Sequence, residues 1–341
     1  MPQTLTIAVC ICEDVTLSDF IPPIEIIAGF NGADHNLLGP DLVGDAVPYR
    51  VKIDYLAPTL DPVKSASHVN FVLPTVNPTK TYQGAIQEGI QYDILWIPAG
   101  PIPDMVTGAD RTPPSEYEFI KAQSPGAKYV LSVCGGSMIL AHAGVLSGKR
   151  ATTNKAFFRV IEKFTPKDIQ WVAKARWVVD GKFWTSSGRT LAYPHICPIL
   201  IASFAHGLPS KKRPMSDPYA YASRQILVDV RSRSPDNQPY TLATLDAFSS
   251  KILTNLQLYL DPPSSCSKEV ARNPYNQEKW MGRTVARRFS DPMHGFGGSD
   301  MALAFVEHLA GPEIARRIRG AVELTENTQE DDPFAAIHGL V

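Results

Sequence analysis

The sequence predicts an α/β fold: a mostly parallel sheet with helices on both faces and a cysteine at a sharp strand-to-helix turn. Three observations carry this. Short apolar runs rich in β-branched residues recur along the chain, helical stretches separate them, and one run ends at Val133 directly before Cys134-Gly135-Gly136. Strands that are apolar at nearly every position imply burial on both faces, which a helix-covered parallel sheet provides.

Taken in order, residues 4–12 read as a buried strand in which Cys10 and Cys12 point to one face as core thiols. Residues 20–30 form a helix, Pro22 and Pro23 being tolerated because they fall in its first turn. A second strand spans 49–57, a strand or hairpin 65–73, and a short helix 82–89. The run Asp-Ile-Leu-Trp-Ile-Pro at 93–98 is a third buried strand, ending in Ala99-Gly100-Pro101. A helix at 116–122 leads to a fourth buried strand at 128–133, and a helix follows at 137–143. Residues 171–187 alternate apolar and polar around Val179-Asp180-Gly181, which signals a hairpin. Two last helices, 300–309 and 312–319, meet at Gly311-Pro312, and the acidic tail 323–332 is expected at the surface or frayed.

The bulk composition narrows the function classes. The chain has 341 residues, 44% hydrophobic and 20% charged, with a formal net charge of −1, which gives no electrostatic footprint for nucleic acid or an anionic membrane. The start lacks the basic region and cleavage site of a signal peptide, and no apolar run is long enough to span a membrane, so a cytoplasmic protein is expected. Five widely spaced cysteines argue for free thiols. The histidines never fall at metal-ligand spacing, so no metal and no cofactor are expected.

The chemistry-bearing feature is Cys134. A residue at a strand-to-helix turn is held in a strained backbone conformation, and small neighbours such as Gly135 and Gly136 relieve the crowding. A sulfur at a helix N-terminus is expected to be drawn toward the thiolate by free N–H groups and the helix dipole. The competing reading is an inert core cysteine, which the Gly-Gly context disfavours.

At these residues the sequence resembles the ThiJ/PfpI superfamily, also called class I glutamine-amidotransferase-like. The resemblance rests on Val133 to Gly136 and on the run from Ala143 to Thr153, with its Gly148-x-x-Ala151-Thr152-Thr153 pattern. Residues 93–100, 184–188 and 300–319 fit as well. It implies a flavodoxin-like fold and places Asp19 in the acidic position beside the cysteine, where a carboxyl can share a proton with the sulfur or activate water. Asp19 could equally cap the helix that follows, and the two roles are compatible. Glu25, about two turns further on, is too far along to serve. The resemblance also sets the N–H of Gly100 opposite that of Gly135 as an anion hole. Where many relatives carry histidine after the Thr-Thr pair, this chain has Asn154, which cannot act as a general base. His142 would lie about 12 Å along the helix from Cys134 and cannot replace it.

Residues 17–19 and 134–153 most resemble the isonitrile hydratase branch of that superfamily. That implies attack of Cys134 on the terminal carbon of an isocyanide, with Asp19 supplying a proton and then activating water, to release an N-substituted formamide. Gly135 stands where the branch often has threonine. Two alternatives remain open: a glyoxalase- or deglycase-like activity on methylglyoxal with the same thiol and carboxyl, and a non-catalytic ligand-binding or redox-sensing protein. The implied partners are a small-molecule isocyanide or reactive carbonyl and a second copy of the chain in a homodimer.

One stretch breaks the pattern. Residues 189–298 turn rich in Pro, Ser, Arg and Asn with no apolar period. Residues 1–188 and 299–341 together make one domain of ordinary size, so 189–298 reads as an insertion. It is either a genuine loop or small subdomain with little order, where limited proteolysis should cut first, or translated non-coding sequence such as an unspliced intron. Its irregular composition and abrupt edges favour the second, and sequencing the transcript decides between them.

Overall fold

The computed structural model describes residues 1–66, 73–101, 109–188, 297–325 and 327–341, which all belong to one unit. Its strands are β1 (Gln3–Cys10), β2 (Tyr49–Ala57), β3 (Lys80–Thr81), β4 (Ile94–Ile97), β5 (Tyr129–Val133), β6 (Arg150–Ala151), β7 (Gln170–Trp171), β8 (Trp177–Asp180) and β9 (Phe183–Ser186). The helices are α1 (Ile21–Ala28), α2 (Tyr82–Gln87), α3 (Pro114–Gln123), α4 (Gly136–His142), α5 (Phe158–Phe164), α6 (Gly297–Ala310), α7 (Pro312–Ala321) and α8 (Phe334–Ile337).

Seven strands form one sheet in the order β3-β2-β1-β4-β5-β9-β8, and β6 pairs with β7 apart from it. Every neighbouring pair in the large sheet is parallel except the β8–β9 hairpin, whose turn holds Gly181 at φ 60°. Side-chain alternation divides the strands between two cores. Leu5, Ile7 and Val9 of β1, with Ile94 and Trp96 of β4, face Ile24 and Ile27 of α1 and Met301 and Phe305 of α6. Ala8 and Cys10, with Leu95 and Ile97, face Tyr82 of α2, Phe119 of α3 and Leu140 of α4. The central strands are apolar throughout because both their faces are covered.

Most of the predicted strands and helices recur with boundaries within three residues, Tyr49–Ala57 without any shift, while the hairpin expected over 171–187 is narrower, its first strand opening only at Trp177. The sequence does not predict β3, β6, β7, α5 or α8, which are short and carry little period of their own. Of the predicted strand at 65–73, Ser65 bridges to Val15, and Val63 and Val76 on either side of it bridge to each other; residues 67–72 lie outside the described residues. The acidic tail is corrected at Asp332, which is buried because Lys155 draws its carboxylate inward at 3.1 Å.

The expectation of an insertion at 189–298 falls outside the described residues apart from Gly297 and Gly298, which open α6. The described chain leaves at Gly188 and resumes beside it: a Cβ on Gly297 would sit 2.6 Å from the Ser187 carbonyl oxygen. Ends so close need only a short connection. A chain joining Gly188 to Gly297 through a linker of about four residues is therefore expected to fold, with a cooperative thermal melt. Failure of that shortened chain to melt cooperatively would make the 189–296 stretch part of the folding unit.

Candidate active site

Cys134 occupies the turn between β5 and α4 at φ 58°, the left-handed region that a β-carbon disfavours. The turn is held from several directions. The Cys134 N–H donates to Ser186 O on β9 at 3.0 Å. Its carbonyl accepts from Ser137 Oγ at 3.1 Å and Thr153 Oγ1 at 2.9 Å. Gly188 closes over the cysteine, where a Cβ would lie 2.2 Å from Cys134 Cβ and 2.8 Å from Sγ. Cys134 as a residue is 7% exposed.

Asp19 ends a 3-10 turn, Leu17–Asp19, ahead of α1. It does not cap that helix, whose N-cap is Phe20 without a side-chain bond. Instead its carboxyl accepts the Ala99 N–H at 3.2 Å and hydrogen-bonds the Cys134 thiol. The Trp96 indole N–H donates to the Asp19 carbonyl at 3.0 Å, which pins the turn to β4. Glu25 is exposed on α1.

Electrostatics set the protonation of this pair. Burial pushes Asp19 from its ordinary 3.8 up to about 8, against the lowering effect of the Ala99 N–H and of Cys134. Burial also lifts the Cys134 thiol well above its usual value, and Asp19 adds to the rise, while the Gly135 N–H and the Asn154 amide oppose it. The expected thiolate-favouring shift is thus reversed, since withdrawal from water outweighs the two N–H donors. Thiol and acid share protons as a coupled pair.

Asn154 reaches the sulfur directly, a contact that its position after the Thr-Thr pair does not by itself predict. Its Nδ2 donates to Cys134 Sγ at 3.3 Å, while Oδ1 accepts the N–H groups of Ala156 and Phe157 at 2.9 and 3.3 Å. Those two bonds settle which end of the amide faces the sulfur. The β6–β7 pair aims the loop, because β6 ends at Ala151, three residues before Asn154. His142 lies at the far end of α4, near Asp110 and the Phe164 carbonyl. The structure thus brings Asp19, Gly135 and Asn154 to the sulfur. Gly100 packs on Cys12, with a Cβ position 2.7 Å from its sulfur and no Cys134 atom within 4 Å.

The pattern of the DJ-1/PfpI family matches residues 6–197, a span holding Cys134, Asp19 and Asn154. The chain belongs to the DJ-1/PfpI family. Within it, the isonitrile hydratase of Pseudomonas putida is 30% identical over 188 residues, 55% of this chain and 67% of that relative. Two solved structures resemble the fold at low identity. Drosophila melanogaster DJ-1beta is 12% identical with a TM-score of 0.47, covering 95% of this chain and 100% of its own. A ThiJ/PfpI family protein from Pseudomonas syringae is 20% identical with a TM-score of 0.41, covering 88% and 91%. Among the described residues, no cluster of His, Cys, Asp and Glu could hold a metal ion, and no helix is long and apolar enough to cross a membrane.

Proposed function

We propose that this protein adds water to the terminal carbon of an isocyanide and releases an N-substituted formamide. The observation that carries the reading is a buried thiol facing a buried carboxyl held to about 8, in a chain 30% identical to an isonitrile hydratase. The isocyanide carbon accepts a nucleophile and a proton together. When the Cys134–Asp19 pair holds one proton, the sulfur forms the S–C bond and Asp19 passes that proton to the same carbon, giving a thioimidate R–N=CH–S. Asp19 is left as a carboxylate and takes a proton from the attacking water. As the tetrahedral carbon expels the sulfur, Asp19 gives that proton to the nitrogen and takes up the hydroxyl proton, so the formamide R–NH–CHO is released and the pair again holds one proton. The Gly135 N–H and the Asn154 amide steady the sulfur as it leaves.

The test is formamide release from a panel of aryl and alkyl isocyanides. Wild-type protein is expected to produce it, and Cys134→Ala to fall to the uncatalysed rate. No formamide above the Cys134→Ala background sinks the proposal, and lactate release from methylglyoxal would replace it with an oxoaldehyde activity.

A further inference from the structure

The carboxy-terminal segment reaches back to the loop that serves the sulfur. Lys155, the neighbour of Asn154, is 4% exposed. Its ammonium donates to Thr152 Oγ1 at 2.6 Å and to Ala175 O at 2.8 Å, and it pairs with the Asp332 carboxylate at 3.1 Å. Thr152 is itself fastened, its N–H to Thr185 Oγ1 on β9 at 2.8 Å and its hydroxyl to Val172 O at 2.7 Å. The Asp332 Oδ1 accepts the Phe334 N–H at 3.0 Å at the start of α8. A buried ammonium and carboxylate hold each other firmly, because separating them strands a charge out of water.

A second tie runs in parallel. Arg176 donates its N–H to Gln329 O at 2.7 Å, its guanidinium to Asp331 O at 3.0 Å, and its Nε to Asp300 at 2.6 Å. The Arg176 carbonyl accepts the Ser187 N–H at 2.8 Å and the Ser187 hydroxyl at 3.1 Å. Ser187 precedes Gly188, which lies against Cys134. Both sides of the thiol are thus backed by residues bonded to 329–332.

We propose that the 327–332 segment is a strap that positions the thiol, with Asp332 as a positioning residue: the Lys155–Asp332 ion pair fixes the 152–157 loop so that the Asn154 amide meets the sulfur. Asp332 touches no reacting atom. A donor at 3.3 Å is lost by a loop shift of about 1 Å, so the tie is felt as reactivity as well as stability. The inference rests on Cys134 as the reacting atom and on no particular substrate.

The experiment is iodoacetamide alkylation of the full chain across pH, with the Cys134 peptide followed by mass spectrometry. Absence of hydratase turnover leaves this readout intact. Asp19 is the titratable group facing the sulfur and is shared by all variants, while Asp332 faces Lys155 and His338. Asp332→Asn is expected to slow alkylation at neutral pH about tenfold and to move the profile to higher pH. Asn154→Ala should do the same, the double variant no more than either, and Asp332→Glu should recover most of the rate. Should Asp332→Asn prove too unstable to assay, Lys155→Met with Asp332→Leu leaves no buried charge unpaired, and the same slowing is expected. A wild-type rate and profile in the folded variants, or additive slowing in the double variant, overturns the proposal even if the melting temperature drops.

Discussion

Asp19→Asn is expected to slow turnover severely while making the protein more stable at alkaline pH. The unfolded chain releases the Asp19 proton near 3.8, whereas the folded chain keeps it to about 8. Across that window the native state binds the extra proton, so stability present at low pH is lost as pH rises, at a slope approaching about 1.4 kcal/mol per pH unit. Above about 8 this group adds no further slope. Asparagine keeps an oxygen for the Ala99 N–H but has no proton to lose, so the variant lacks the decline. Turnover should fall by about 10² to 10⁴ with the loss of the proton donor and water base. In the wild type, activity should rise with pH toward about 8 as the single-proton form of the pair accumulates. Urea unfolding at pH 5, 7 and 9, beside a turnover assay, checks both halves. An unchanged slope in Asp19→Asn would move the buried proton elsewhere.

Gly136→Ala is expected to destabilise strongly, while Gly135→Ala is expected to be tolerated. A Cβ on Gly136 would lie 2.0 Å from Ile97 O and 2.9 Å from Pro98 O. Both are backbone atoms at the end of β4, in the middle of the sheet, so no side-chain rotation relieves the clash. Helix α4 must retreat from β4, carrying the Cys134 turn with it, at a cost of about 3 kcal/mol or more. A Cβ on Gly135 meets only Ala99, its Cβ at 3.4 Å and its Cα at 4.0 Å, ordinary contacts. Gly135→Ala should therefore stay within about 0.5 kcal/mol of wild type. Equal losses for the two variants in urea unfolding would show that α4 is not pressed against β4 as described.

The sheet was legible because its central strands are buried on both faces. Ile94–Ile97 and Tyr129–Val133 are apolar at nearly every position, and such runs reveal themselves without reference to a partner. Cys134 was legible for a related reason, since a cysteine between a buried strand and Gly-Gly has one local geometry available. Short elements such as Lys80–Thr81 and Phe334–Ile337 were not, because neighbours rather than period hold them in place. The tail misled for a physical reason as well. A run of Glu and Asp reads as solvated unless its counter-charges are known, and that of Asp332 is Lys155, far away in the chain.

By itself the sequence determined the α/β architecture, the family and the cysteine on which the site is built, since each is written in contiguous residues whose burial or backbone strain is a local property. Only the tertiary structure decided how that cysteine is held. It set the thiol against Asp19, turned the Asn154 amide toward the sulfur, closed Gly188 over it and raised both acids by burial. Those outcomes depend on which distant groups share a volume closed to water, and that follows from packing rather than from any neighbouring residue.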